Sequence, residues 1–97
     1  MHVITKRSIV ESKAVFPQCA SALDGWYKII SSNAFGSFAE LKMSFNSVDK
    51  VGNLYVFDIG GNKLRLIASI HFNRQKIYIR NILTHKEYDK GNWRNET

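Results

Sequence analysis

The hydrophobic pattern of this chain changes its period at Leu54, and this change constrains the fold more than any other feature of the sequence. Upstream, apolar residues recur every three or four positions in Lys6–Val15 and again in Cys19–Ile30, which predicts two amphipathic helices. Thr5 can cap the first helix, and Pro17 should separate the two because a proline interrupts helical hydrogen bonding. The first half of the chain is therefore expected to be helical.

Downstream of Leu54 the sequence has the composition of β-strands. Leu54–Ile59 is rich in aromatic and β-branched residues, Gly60-Gly61 is a strong hairpin signal, and strands are predicted at Asn62–Phe72 and Lys76–Leu83. The other segments are predicted as a short strand at His2–Ile4, a turn of helix at Phe38–Met43, loops at 31–37 and 46–53, and a polar tail at Thr84–Thr97 that ends in a helical turn and a frayed end. Helices followed by strands indicate one α+β domain over residues 1–97, with the N-terminal helices packed on one face of an antiparallel β-sheet meander.

The two hairpin turns decide which strand residues share a face. A two-residue turn at Gly60-Gly61 sets Phe57 opposite Leu64. A two-residue turn is also expected at Arg74-Gln75, because a three-residue turn would place Arg80 in the core as an uncompensated charge. The face away from the core would then be basic and would carry Lys63, Arg65, Ile67, Ser69, His71, Lys76, Tyr78, Arg80, Ile82 and Thr84.

Charge and composition narrow the class of protein. The net charge of +6 over 97 residues favours a polyanionic partner, which could be nucleic acid, an anionic membrane or an acidic protein. The single cysteine excludes an internal disulfide and a cysteine-based zinc site, and the three histidines have no paired spacing, so no metal or cofactor is expected. No apolar run is long enough to span a bilayer and the first residues lack a signal peptide, so a cytoplasmic location is expected.

Two groups of residues could carry chemistry, and each also has a plain structural explanation. Arg65 and Arg80 are either solvated strand arginines, which spacing alone favours, or a clamp for phosphate. The segment 84–90 is either a polar C-terminal turn or a proton-transfer cluster built on His85 and Tyr88. Asp58 is expected to form a cross-strand ion pair with Lys63. The diglycine turn lacks the helix and lysine of a nucleotide-phosphate loop, which excludes that reading.

Three segments of the chain resemble the HigB-type toxins of the RelE/ParE superfamily. They are VFDIGGNKLRLI at Val56–Ile67, KIYIR at Lys76–Arg80 and LTHKEYD at Leu83–Asp89, and their order and spacing are also similar to those of the family. The opening His2–Thr5 and the pair Trp26-Tyr27 extend the similarity to nearly the whole chain. The resemblance implies the small RelE-like α+β fold.

The resemblance also implies an activity and a set of partners. Members of the family are mRNA interferases, endoribonucleases that cut messenger RNA on translating ribosomes and so stop translation and growth. Each is the toxin of a type II toxin–antitoxin system, neutralised by a cognate antitoxin that is usually a helix-turn-helix DNA-binding protein. The expected partners are therefore the antitoxin, mRNA and the ribosome, with operator DNA reached only through the antitoxin complex and no membrane. The antitoxin could cover the basic face or restrain the N-terminal helices.

Site residues follow from the positions that match the family. Arg65 and Arg80 correspond to phosphate-contacting arginines, and His85 and Tyr88 lie where the C-terminal catalytic residues sit. Contacts with RNA are expected from Lys63, His71, Lys76, Tyr78, Lys86 and Lys90. The implied reaction is a metal-independent attack of a 2′-hydroxyl on the adjacent phosphate. The alternatives are a non-catalytic toxin that acts on gyrase or the ribosome, and a plain nucleic-acid-binding module, because the fold alone does not establish cleavage.

Overall fold

The structure of the protein is a computed structural model that describes residues 1–61 and 63–96, without the side chains of residues 95 and 96. Within these residues the helices are α1 (Lys6–Val15), α2 (Ala20–Ser32), α3 (Phe38–Ser44) and α4 (His85–Asp89). The strands are β1 (His2–Val3), β2 (Asp49–Val51), β3 (Leu54–Ile59), β4 (Leu64–His71) and β5 (Lys76–Thr84). Short 3₁₀ turns occupy Pro17–Cys19, Phe72–Arg74 and Asn92–Glu96. Asn62, the predicted first residue of the second long strand, lies outside the described residues.

The strands form one mixed sheet in the order β1-β5-β4-β3-β2. β3, β4 and β5 make the predicted antiparallel meander, and β1 joins the edge of β5 in parallel. The α+β class is therefore confirmed, but β2 lies inside the segment 46–53 that was predicted as a loop. Its sequence, Asp49-Lys50-Val51, carries two charges and too few apolar positions for an alternating signal, as is usual for an edge strand.

α1, α2 and α3 cover one face of the sheet and form the main core with it. Leu23 and Ile30 of α2 and Leu41 of α3 are completely buried against strand residues such as Leu66 and Ile77. The buried and half-buried aromatic rings of this layer interlock, with edge-on or tilted contacts in the pairs Trp26–Phe57, Phe45–Phe57, Phe38–Tyr55 and Phe35–Phe45. Because the helices α1–α3 pack on this face, the opposite face of the sheet remains available for a functional site. No helix in the described part of the chain is both long and apolar enough to cross a bilayer.

Both predicted two-residue turns are wrong, and both real connections have four residues. Ile59 lies opposite Leu64, so the first hairpin loop spans residues 60–63. His71 lies opposite Lys76, so the second hairpin loop spans residues 72–75. It ends at Gln75, which has a left-handed φ of 54°. A change of two residues preserves the alternation of side chains, so the predicted faces of β3, β4 and the first half of β5 survive the error in register.

The predicted faces fail in the second half of β5 because the strand contains a β-bulge. Ala68 lies opposite Ile79 and Ile67 opposite Asn81, which leaves Arg80 as the extra residue. The bulge reverses the alternation beyond it. Ile82 therefore packs into the main core instead of lying on the basic face, and Thr84, opposite Leu64, shares that side of the sheet. Leu83 lies opposite Arg65 on the other side.

The start of α1 departs from the prediction, whereas the tail forms the predicted helical turn. Thr5 precedes α1 but makes no capping hydrogen bond; its hydroxyl accepts a hydrogen bond from Ile79 N at 2.7 Å and so joins the start of α1 to β5. The tail also packs on the sheet, which the sequence did not indicate, because Trp93 is only 3% exposed and contacts Leu54, Val56 and Ile67. This second cluster covers part of the face that the helices α1–α3 leave open.

Candidate active site

The face of the sheet turned away from α1–α3, here called the outer face, carries the residues predicted to act on RNA. One end of it is covered by α4, and the Trp93 cluster covers its middle on β3 and β4. Polar and charged side chains lie on β5 and at the far end of β4.

α4 begins immediately after β5 because Thr84 and Glu87 form a complete capping box. Glu87 N donates to Thr84 Oγ1 at 3.2 Å, and Thr84 N donates to Glu87 Oε1 at 3.0 Å. This motif satisfies backbone donors that a helix start leaves open. It sets His85 and Tyr88 on one short helix next to the end of the strand. The spacing of Thr84 and Glu87 is the sequence signature of this motif.

The capping box makes α4 sensitive to acid. Hydrogen bonds from the Thr84 backbone and hydroxyl, with the nearby charge of Lys90, hold the pKa of Glu87 below its ordinary value of 4.5. A lowered folded-state pKa gives stability that is complete above the unfolded value and is lost as the pH falls through the folded value. We expect the unfolding free energy of the native chain, relative to Glu87→Gln, to decrease below pH 4.5, as urea unfolding at several pH values would measure. A difference that stays constant with pH would contradict this linkage.

Arg65 and Tyr88 lie in direct contact at the centre of the site. The guanidinium carbon of Arg65 is 5.4 Å from the centroid of the Tyr88 ring, within the range of a cation–π contact. The Tyr88 ring also stacks on the Trp93 ring, with 5.0 Å between their centroids and an interplanar angle of 14°. Trp93 Nε1 donates a hydrogen bond to the Tyr88 carbonyl at 3.0 Å. The two predicted catalytic residues are therefore held together by a residue from the tail. Sequence reasoning missed Trp93, whose only signal was an aromatic residue in a polar segment.

Arg65 is also fixed by an acidic neighbour. Its Nη1 lies 3.0 Å from Asp58 Oδ1, and its side chain is 12% exposed. The same Nη1 makes no hydrogen bond within the described residues, so the contact with Asp58 is an ion pair by distance alone. The prediction that Asp58 faces Lys63 is wrong, since the longer hairpin loop places Arg65 opposite it instead.

Arg80, the second arginine of the predicted phosphate clamp, lies in a more open environment than Arg65. It is exposed, and it belongs to the bulge, between Ile79 and Ile82 that both pack into the main core. The bulge therefore turns Arg80 towards the outer face, the side on which Arg65 lies. Arg80 lies three positions along β5 from Leu83, which is the partner of Arg65, or about 10 Å along the strand.

His85 lies at the first position of α4, more than half exposed. Its Nε2 is 3.4 Å from Asp89 Oδ2, one helical turn further along. A carboxylate at this distance can orient the imidazole ring. His85 and Tyr88 are three residues apart on the same helix, so they lie on neighbouring parts of its surface.

The remaining predicted RNA contacts form two groups. Lys63, Lys86 and Lys90 are exposed in and around α4. His71, Lys76 and Tyr78 lie at the far end of β4 and β5, where the His71 and Tyr78 rings touch edge-on at 5.4 Å and Lys76 is opposite His71. His71 lies six positions along β4 from Arg65, or roughly 20 Å away. Between the two groups Ile67 of β4 is buried in the Trp93 cluster, so the basic residues continue from one end of the outer face to the other along β5, where Arg80 lies. These basic residues are here called the basic strip.

Nothing in the described part of the chain resembles a metal site. No group of three or more histidine, cysteine, aspartate or glutamate residues lies close enough together there to hold an ion. The chemistry that this arrangement offers is that of cations, a phenol and an imidazole.

The chain is similar to a known family of proteins. Residues 19–91 match the model of the HigB toxin family, described as the RelE-like toxic component of a toxin–antitoxin system. The chain is 39% identical over 92 residues to the mRNA interferase toxin HigB of Escherichia coli strain K12, covering 92% of this chain and 88% of that protein. It has the same identity and coverage with the mRNA interferase HigB of Shigella flexneri. It is 36% identical over 93 residues to the mRNA interferase HigB of Escherichia coli O6:H1, covering 93% of this chain and 90% of that protein.

The matched segment contains β2 to β5 and α4, and with them every residue placed above on the outer face except Trp93. The similarity at 39% identity extends over nine-tenths of the chain and therefore includes nearly all of its helices and strands. The chain therefore belongs to the HigB toxin family, the RelE-like toxic components of toxin–antitoxin systems.

Proposed function

We propose that this toxin is an endoribonuclease that cuts messenger RNA with the residues of its outer face, and that it stops translation and growth in this way. The observation that carries the proposal is the contact between Arg65 and Tyr88. The exposed Arg80 lies on the same face of the sheet, and His85 lies on the same short helix as Tyr88. The names of its relatives as mRNA interferases support the substrate class. We expect residues 1–97 to act as one toxin domain.

The reaction we propose is a transesterification within the RNA chain. A base on the toxin removes the proton of a 2′-hydroxyl, and the 2′-oxygen attacks the adjacent phosphorus in line with the 5′-oxygen. The bond from phosphorus to the 5′-oxygen breaks, and that oxygen takes a proton from a general acid. The products are a 2′,3′-cyclic phosphate, which water can open to a 3′-phosphate, and a fragment with a free 5′-hydroxyl.

The two arginines have different parts in this proposal. Arg80 is exposed, so a phosphate can reach its guanidinium directly and form two parallel hydrogen bonds with it. Arg65 is mostly enclosed by Asp58 and Tyr88, so it adds a fixed positive charge next to the phosphate. Charges that are fixed before the reaction stabilise the developing negative charge without reorganising during it.

Tyr88 and His85 are the proposed proton-transfer residues. The phenol of Tyr88 belongs to a ring that touches the Arg65 guanidinium, so the phenol is held next to the charge proposed to stabilise the phosphate. The imidazole of His85 has one nitrogen that can accept a proton and one that can donate it, and its Nε2 lies 3.4 Å from Asp89 Oδ2. Either can act as the base while the other serves as the acid.

The proposed partners follow from the family and from charge. A toxin of a toxin–antitoxin system has a cognate antitoxin, and we expect this one to be a helix-turn-helix protein through which the complex reaches operator DNA. We expect cleavage to take place in the cytoplasm on the translating ribosome. The basic strip suits both messenger RNA and the RNA of the ribosome, because phosphate contacts need only positive charge.

Controlled expression of the toxin in bacteria tests the proposal. Growth and the 5′ ends of messenger RNAs are recorded before and after induction. The proposal predicts growth arrest together with new 5′ ends inside coding regions. Arrest without new ends would overturn cleavage and favour a non-catalytic toxin, whereas the absence of arrest would overturn the toxin activity itself.

A further inference from the structure

The end of the sheet farthest from α4 carries a row of three polar side chains on neighbouring strands. His2 of β1, Lys76 of β5 and His71 of β4 lie side by side, because Lys76 is the partner of both histidines. Neighbouring strands are about 4.8 Å apart, so this row, here called the far row, is roughly 10 Å long. The next residues of β1 and β5, Val3 and Ile77, are buried in the main core, so the far row points to the outer face.

The positive charge of the far row has no acidic counterpart. β1, β4 and β5 contain no aspartate or glutamate, and no carboxylate forms an ion pair with Lys76 among the described side chains. At the α4 end, by contrast, Asp58 pairs with Arg65 and Asp89 lies next to His85. Both histidines of the far row are exposed and Lys76 is half-buried, so an anion can reach all three side chains.

Flat and apolar surface lies directly beside the far row. Tyr78 is two positions along β5 from Lys76 and therefore shares its face, and its ring contacts that of His71 edge-on with 5.4 Å between centroids. The backbone N–H groups of His2 and Ile4 both donate to β5, so these two side chains also share a face. Ile4 is 39% exposed. Cations beside accessible rings and apolar surface suit single-stranded nucleic acid, whose phosphates need positive charge and whose bases stack on flat groups.

The far row is aligned with the exposed arginine of the candidate active site. Lys76 and Arg80 are four positions apart on β5, or about 13 Å along the strand, and Tyr78 lies between them. The Trp93 cluster covers the outer face of β3 and the middle of β4. An RNA strand that contacts both ends of the outer face must therefore run along β5.

We propose that the far row, with Ile4 and Tyr78 beside it, holds the RNA strand that is cut, at nucleotides several positions away from the cut. The far row then contributes to the affinity for RNA, whereas Arg65 and Arg80 act on the bond that breaks. The proposal deepens the proposed function and rests on it. It implies that full affinity requires an RNA that extends several nucleotides beyond the cut.

Two variants separate the charge of this surface from its ring. Lys76→Gln removes one charge and keeps a polar side chain of similar length. Each phosphate contact of a single strand contributes about 0.7 to the slope of log affinity against log salt concentration, so this variant should lower the slope by about 0.7. Tyr78→Leu removes the ring and keeps apolar bulk, and the loss of one stacked base should weaken binding by about fivefold or more.

Lys28→Gln is the matched control. Lys28 is exposed on α2, which packs on the opposite face of the sheet, so the variant loses the same net charge away from the far row. Its affinity and salt slope should equal those of the native toxin. Urea unfolding of each variant shows that any loss of binding occurs in a folded domain.

The experiment measures fluorescence anisotropy of a labelled single strand of about 16 nucleotides, the upper size of a strand-binding groove, at several salt concentrations. The strand is 2′-O-methyl RNA, which lacks the nucleophile and stays whole. A lower slope for Lys76→Gln and a lower affinity for Tyr78→Leu, with native values for Lys28→Gln, support the proposal. Native values for all three variants overturn it. Ribosomes without messenger RNA are the second ligand, and a loss with Lys76→Gln that occurs only with ribosomes also overturns the proposal.

Cleavage separates this proposal from the proposed function. The rate is measured against toxin concentration on an RNA that the native toxin cuts. Lys76→Gln should raise the toxin concentration that gives half the maximal rate and leave the maximal rate unchanged. A lower maximal rate with an unchanged half-saturating concentration would overturn the proposal and leave the proposed function intact. A native toxin that makes no cuts in messenger RNA after induction overturns the proposed function itself.

Discussion

Replacement of Arg80 by alanine should reduce the rate of RNA cleavage by roughly 10²–10³-fold while leaving the fold intact. Arg80 is exposed on the β-bulge, so its removal leaves no cavity in either hydrophobic cluster. Its guanidinium is the charge that a phosphate can reach directly, and the loss of one fixed donor to a developing anion has an effect of this size. Rates are measured on an RNA cut by the native toxin, and folding is checked by urea unfolding.

Arg7→Ala is the matched control for this prediction. Arg7 is an arginine on α1, on the opposite side of the sheet, with its side chain 88% exposed next to Glu11. The variant loses the same charge and should cut RNA at nearly the native rate. If Arg80→Ala also cut at the native rate, Arg80 would not belong to the site.

Replacement of Trp93 by alanine should lower the free energy of unfolding by about 3–5 kcal/mol, a large part of the stability of a small domain. Trp93 is 3% exposed and covers Leu54, Val56 and Ile67, so its removal opens a cavity in the second cluster. Its loss also removes the stacking contact and the hydrogen bond that hold Tyr88. Urea unfolding measures the stability, and cleavage should fall as well because Tyr88 loses its support.

One further variant separates the packing of Trp93 from this hydrogen bond, and a second serves as a control. Trp93→Phe keeps an aromatic ring against Tyr88 but cannot donate to its carbonyl, so it should be less destabilised than Trp93→Ala. Met43→Ala removes a large side chain that is 86% exposed and should change the stability by less than about 0.5 kcal/mol. If Trp93→Ala were as stable as Met43→Ala, the tail would not pack on the sheet in solution.

The sequence predicts the helices and long strands well because their periodicity is unbroken. α1 has the predicted bounds, and β3 likewise, since each is a short run of one period between clear breaks. The parallel pairing of β1 with β5 could not be predicted, because two residues carry no information about a partner more than seventy positions away. The edge strand β2 was missed for a similar reason, since its side chains are largely exposed.

The errors in register show how local hydrogen bonds override turn statistics. The second hairpin has four connecting residues because Gln75 takes a left-handed conformation and its Nε2 donates to the carbonyls of Phe35 and Phe72 at 2.6 and 2.8 Å. The contact with Phe35 joins residues forty positions apart, which no local pattern records. The bulge at Arg80 likewise depends on how β4 and β5 meet, and it alone decides the faces of Asn81, Ile82 and Leu83.

The candidate site was predictable in its residue types and not in its contacts. Arg65 and Tyr88 were both named from the resemblance, yet nothing in the sequence indicated that they touch or that Trp93 supports them. Those contacts depend on the path of the tail after α4, which returns over the outer face. The ion pair between Arg65 and Asp58 depends on the length of the first hairpin loop, where a difference of two residues changes the partner.

The most direct test of the central claim, that the outer face makes this toxin cut RNA through the 2′-hydroxyl, is a single 2′-deoxy substitution at a mapped cut site. Two RNAs that differ only in that sugar are incubated with the purified toxin under conditions in which the unmodified RNA is cut. The account predicts that cleavage at the modified position disappears, because the nucleophile is missing, while cuts elsewhere in the same RNA continue at the native rate. Cleavage that persists at the modified position would contradict the account.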